Sequence, residues 1–162
     1  VEHLKAGVLD VPLGAGIADI VGANAIMHHV PDHLDGFVSE VVRLLKPGGV
    51  FLMQEPLAGN PPARWTRGFV KTTAHEEGER PQHYRDMEAA ILKGGLKIEK
   101  VEFFFLTSYL VPHIIPMAPK GMRSILQRKG LFLVRLDKAL LERLPGLGRW
   151  AAYVSVVARR GI

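Results

Sequence analysis

The stretch ADIVGANAIMHHVPDHLDGFVSEVVRLLKPGGVFLMQE, Ala18 to Glu55, decides the fold. It reads as strand, sharp turn, helix, tight turn and strand. Asp19-Ile20-Val21-Gly22-Ala23 is a short apolar run that suits a strand buried on both faces. Pro31-Asp32 offers a helix start, with Asp32 as N-cap and Asp35 placed to favour the positive helix N-terminus. Leu34, Phe37, Val38, Val41, Val42 and Leu45 recur at helical spacing and make one face apolar. Pro47 disfavours helical geometry at Lys46, and Gly48-Gly49 offer the positive φ that a tight exit needs. Val50-Phe51-Leu52-Met53 follows at once as a second buried strand. Strand, crossover helix and strand make one right-handed βαβ unit of a parallel sheet.

Read outward, the chain continues in the same style. Gln82 to Gly95 predicts a helix ending at Gly94-Gly95, and Leu96 to Leu106 predicts a strand entering the core. Gly121–Lys129 and Leu131–Leu144 have helical patterns, the second with Leu133, Leu136, Leu140 and Leu144 near one stripe. Trp150 to Ala158 is β-branched and apolar and predicts a closing strand. Val1 to Pro12 reads as a strand running into a loop. Leu57 to Pro81 reads as a long loop or short helix outside the core, with Trp65 and Phe69 as isolated apolar anchors, in the manner of a lid. Thr107 to Pro119 holds three prolines among many apolar residues. It can line a pocket for a greasy molecule, touch a membrane surface, or simply pack on its own domain.

Composition narrows the function classes. The chain has 162 residues, no cysteine, and 48% hydrophobic residues, so it can bury a core but cannot hold disulfides or thiolate metal sites. That fits a reducing cytoplasm, and no stretch reads as a signal peptide or membrane span. Charge is uneven: residues 1–80 sum to −3 and residues 81–162 to +8. A basic half can attract nucleic acid or anionic lipid, but surface helices carry such charge as a matter of course. His29 and His33 are four apart, a spacing able to ligate a metal on a helix, yet Pro31 interrupts any helix through both. No metal site is expected.

Ala18-Asp19-Ile20-Val21, then Met27-His28-His29-Val30, then Glu40 to Gly49 (EVVRLLKPGG), resemble in order and spacing the class I S-adenosylmethionine-dependent methyltransferases. More narrowly, the pattern is similar to the small-molecule branch that includes the quinone-biosynthesis C-methyltransferases. The resemblance implies an α/β fold, the C-terminal portion of a Rossmann-like methyltransferase domain, with a mostly parallel sheet and an antiparallel last strand beside Val50–Met53. It implies S-adenosylmethionine as cofactor and a small-molecule methyl acceptor as partner, with no nucleic acid. It places adenine contacts at Gly7 and Val8, although Gly7 offers only backbone there. A further cofactor contact falls at Asn24, with Ala25 walling the pocket. His29 resembles a position that holds the turn. His28 and Glu55 are the candidates for orienting substrate or removing a proton, with turn-holding and loop-capping as their plain structural alternatives. Segments 57–81 and 107–130 are the variable parts expected near the substrate.

The resemblance covers the C-terminal two thirds or so of the family's domain. The opening strand with its glycine-rich loop, and the second strand ending in a ribose-binding acidic residue, have no counterpart here. Two such units need roughly 60 to 80 residues at about 30 or more each. Gly14-x-Gly16 does not replace them, because it precedes a strand. Competing readings are a nucleotide-binding oxidoreductase on a similar sheet and a non-catalytic, basic binding module for nucleic acid or protein. The methyltransferase reading predicts that residues 1–162 alone bind S-adenosylmethionine poorly. Micromolar binding by titration calorimetry would overturn that prediction.

Overall fold

The computed structural model describes residues 3–69 and 80–162. Four strands form one sheet in the order β1-β2-β4-β3: β1 Ala18–Asn24, β2 Leu45–Pro56, β3 Leu96–Phe104 and β4 Tyr153–Arg160. β1 and β2 are parallel, and β4 is antiparallel to both β2 and β3. Three strands therefore run one way and the last is inserted against them, as the sequence resemblance implies.

The crossover is α1, Leu34–Leu44. Its N-cap is His33, not Asp32, and no side chain caps it. Asp32 instead pairs with Arg80 at 2.9 Å, which draws it away from the helix start. Asp35 does lie in the first turn. The helix leads straight into β2, which begins five residues earlier than Val50 because Lys46-Pro47-Gly48-Gly49 stays beside β1 as a bulge. Within it only Gly48 takes a positive φ, at 76°. Gly49 is needed for space, since a Cβ there would lie 2.9 Å from the Lys46 carbonyl oxygen. Arg160 donates to the carbonyls of Val42 and Leu45, two acceptors left open where the helix ends.

The core lies between one sheet face and two helices, α1 and α3 (Tyr84–Lys93). Phe51 and Met53 of β2 and Val154 and Val156 of β4 meet Phe37, Val38 and Val41 of α1 and Met87 and Ile91 of α3. Each such burial contributes about 2 kcal/mol. The other face is more open: Leu52 is 41% and Ile20 62% exposed.

Several expectations need correction. Residues 3–12 form no strand; only a bridge joins Gly7 to Asp10. That loop is held by α1 instead. Buried Glu40 accepts from the Val11 amide at 2.7 Å, and Arg43 donates to the carbonyls of Val11 and Leu13. The stretch after β2 is not outside the core: Leu57, Asn60, Ala63 and Thr66 are buried around α2, Pro61–Phe69, while the supposed anchor Trp65 is 64% exposed. The remainder of the lid expectation, residues 70–79, lies outside the described residues. The two helices expected on either side of Gly130 are one, α5, Lys120–Arg143. Gly130 lies within it, where α4 (Val111–Ile114) packs so close that any Cβ would collide with Val111. Nor do the leucines face inward together: Asp137 and Leu141 are buried, while Leu136 and Leu144 are 41% and 54% exposed.

The Glu40 carboxyl is held down to about 2 from 4.5, chiefly by its hydrogen bonds from the Arg43 guanidinium. A depressed carboxyl contributes stability above its unfolded pKa and loses it as pH falls toward the folded one. Glu40→Gln should therefore lower the melting temperature at pH 7 and flatten its decline between pH 5 and 2. Melts followed by circular dichroism across that range check this.

Candidate functional site

β1, β2 and β3 all point their carboxyl ends at the same edge, where β4 begins. Asn24 is opposite Gln54, and Tyr153 is opposite both Pro56 and Phe104. In an open α/β sheet this is the edge at which ligands bind.

Glu55 is 0% exposed there. Its Oε1 accepts from the amides of Ile26 and Met27 at 2.5 and 2.7 Å, and its Oε2 lies 3.1 Å from His28 Nδ1. The donors come from the 3-10 turn Met27–His29 and its N-cap Ile26, so the carboxylate both holds that turn and is held by it. With Glu55 ionised it can only accept, which puts the proton of the last bond on Nδ1 and leaves Nε2 of the neutral ring its lone pair. The His28 side chain is 14% exposed and stacks on His29, with ring centroids 4.2 Å apart. The two predicted candidates are thus brought into direct contact.

Asn24 and Ala25 close β1 beside them. Asn24 is exposed, and its amide has no protein partner among the described residues. Ala25 sits at φ 55°, a left-handed conformation costing an alanine roughly 1 kcal/mol, held by its amide donating to the Gln54 carbonyl at 2.8 Å. Val8, like Ile26, packs against the core cluster, and Gly7 is exposed with open space where a Cβ would project. No hydrogen bond joins that loop to Asn24 among the described residues. One polar side chain was missed: Gln54, exposed on the same sheet face as Asn24. The alternation of β2 (Phe51 and Met53 in, Leu52 and Gln54 out) is the signal that finds it.

On the β4 side a cavity of about 640 Å³ opens between α4, α5 and the start of β4. Its walls include Phe105, Tyr109 and Tyr153 on one side and Val111, Leu131 and Val134 on the other. Two buried polar residues build it. Asp137 of α5 is 2% exposed and accepts from the amides of Leu106, Thr107 and Ser108 and from the Thr107 and Ser108 hydroxyls. Asn60 is 0% exposed and donates to the carbonyls of Phe105, Leu106 and Trp150, while its oxygen accepts from Ala63. Neither stands out in the sequence, since each looks like an ordinary surface polar residue. Among the described residues no group of three His, Cys, Asp or Glu side chains can hold a metal, and no helix is long and apolar enough to cross a membrane.

Residues 1–53 match the family model described as a methyltransferase domain. Solved structures similar to the chain include a SAM-dependent methyltransferase from Archaeoglobus fulgidus, 14% identical, with TM-score 0.61 over 97% of this chain and 66% of that one. The fold is that of the class I methyltransferases. The geranyl diphosphate C-methyltransferase of Streptomyces coelicolor A3(2) is 20% identical, with TM-score 0.56 over 96% of this chain and 52% of that one. The [4+2]-cyclase SpnF is 18% identical, with TM-score 0.56 over 97% and 54%. The chain thus spans about half the length of several of the methyltransferase-fold structures it matches. No curated protein matches it in sequence. A cyclase among these neighbours is a reminder that a methyltransferase fold does not by itself set the chemistry.

Asp137 gathers five donors that would be left unpaired and buried without it. Asp137→Ala should cost about 2–4 kcal/mol, whereas Asp137→Asn, which keeps an acceptor oxygen, should cost less. Urea unfolding of the two variants checks both the size and the order.

Proposed function

We propose that this chain is the acceptor-side portion of an S-adenosylmethionine-dependent methyltransferase, working within a longer chain on a small, hydrophobic molecule. The observation that carries the reading is the Glu55–His28 pair, fixed at the ligand-binding edge of a methyltransferase fold. When bound, S-adenosylmethionine supplies an electrophilic methyl group on a positively charged sulfur.

The residues present fit part of that cofactor. Asn24 offers an amide with no partner among the described residues at the strand end, and Ala25 presents backbone in a strained turn of the kind found at ligand clamps. Gly7, open on its Cβ side, and Val8 are the adenine-side positions. His28 is assigned as general base. Its Nε2 takes the proton from the acceptor's nucleophile, and the Glu55 carboxylate on the far nitrogen stabilises the charged ring that results. Because Glu55 also receives two backbone amides, its own role is positioning. Methyl transfer otherwise needs alignment more than functional groups, so one such base suffices. Segments 57–81 and 107–130 are assigned to the acceptor side. A cytoplasmic location fits the absence of cysteine.

The runner-up is a non-catalytic basic module for nucleic acid or protein, supported by the exposed Lys120, Arg128, Lys129 and Arg135 of α5. In the full-length protein, His28→Ala should lower kcat about 10²-fold or more, with cofactor affinity unchanged. Unchanged turnover in that variant would remove His28 from the mechanism. Absence of cofactor binding, together with salt-sensitive binding of RNA, would favour the basic module.

A further inference from the structure

We infer that the cavity between α4, α5 and β4 is a binding site for a neutral, ring-containing apolar molecule. Its identity as the methyl acceptor rests on the reading above, but its existence as a site does not. At about 640 Å³ the cavity is of the size that receives drug-sized ligands.

One wall is a set of aromatic rings. Phe105 stands edge-on to Tyr153, with centroids 6.3 Å apart and planes at 90°, and Tyr109 lies 6.4 Å from Tyr153. Rings so placed present faces and edges that a planar guest can meet in offset or T-shaped geometry. The rest of the lining is mostly aliphatic, with Val111, Ile115, Leu131 and Val134. Among the described residues no Lys, Arg, Asp or Glu lines the space; His113, its ring 5.2 Å from that of Tyr109, and Gln127 are the nitrogen-bearing side chains there. The polar groups there are few, and the Ser108 hydroxyl is already committed to Asp137.

Charge decides between ligand classes. An anionic head inside this cavity would be desolvated with no lysine or arginine to receive it, His113 being the one basic side chain among the described lining residues. It would also lie close to the buried Asp137 carboxylate, which is bound behind Ser108 and repels a second negative charge. A neutral molecule meets neither cost. Tyr153 places the cavity at the same sheet edge as Asn24 but on the far side of β2. Across two strand spacings of about 4.8 Å, that leaves room for a second molecule beside the first.

The cavity is also held in shape without a ligand. The five hydrogen bonds to Asp137 fix residues 106–108 against α5, and Gly130 lets α4 close over it. Such preorganisation favours binding, because little ordering remains to be done.

The test is fluorescence titration of the protein with 1-naphthol and with 1-naphthoate, which share a ring system and differ in charge. Naphthol should saturate one site with a Kd of about 10–100 µM, and naphthoate should bind at least about tenfold more weakly. Val134→Trp, which fills the cavity, should weaken naphthol about tenfold or more with an unchanged circular dichroism spectrum. Should that variant fold poorly, Leu131→Lys serves. Leu131 is 62% exposed and tolerant, and a lysine there should weaken naphthol and strengthen naphthoate. Equal binding of the two probes by the unmodified protein would overturn the inference, as would naphthol binding unaffected by both substitutions. Naphthol binding that persists in a full-length protein unable to transfer methyl groups would count against the catalytic reading alone and leave this site in place.

Discussion

A carboxylate taken out of water is tolerated only where donors surround it, and Glu55 at the end of β2 meets that condition with two amides and an imidazole. All three donors come from the turn that follows β1. The bond set therefore does more than satisfy a charge: it fastens the ends of two neighbouring strands together at the edge where the sheet meets its ligands. The position of His28 and the burial of Met27 go with that fastening, and the Ala25 amide adds a bond to the Gln54 carbonyl between the same two strand ends. Asp137 plays the same part on the other half of the sheet, with donors from the chain leaving β3.

The division between what could be read in advance and what could not follows from range. Ala18–Glu55 was legible because its signals are local. Periodicity along α1, Pro47 at its end and the apolar runs on either side act within a few residues. Even there the details shifted. Asp32 lost the cap position to a distant partner, Arg80, and Gly49 matters for close approach to the Lys46 carbonyl, not for its φ. The contact of His28 with Glu55 spans 27 residues, so each could be named as a candidate but their pairing could not.

The C-terminal half was harder for the same reason. Gly130 has every mark of a helix break, yet it lies inside a continuous helix, at the point where α4 packs too close to admit a Cβ. Leu136 and Leu144 belong to a regular apolar stripe, yet the inward direction of α5 is set by Asp137, a charged residue that no hydrophobic pattern would select. Asn60 is hidden in a Pro-rich stretch that reads as surface, and its three donor bonds reach carbonyls 45 to 90 residues away. Long-range polar bonds of this type leave no periodic trace.

The Asp137 cluster has a consequence for motion. Because one carboxylate collects donors from three consecutive residues, residues 106–108 cannot peel away from α5 one at a time without stranding the rest. They should open as a cooperative unit, with the amides of Leu106, Thr107 and Ser108 exchanging their hydrogens together. Any molecule occupying the adjacent cavity would stabilise the closed form of that unit and slow this local opening, so occupancy at one end of the sheet would be recorded as rigidity along α5.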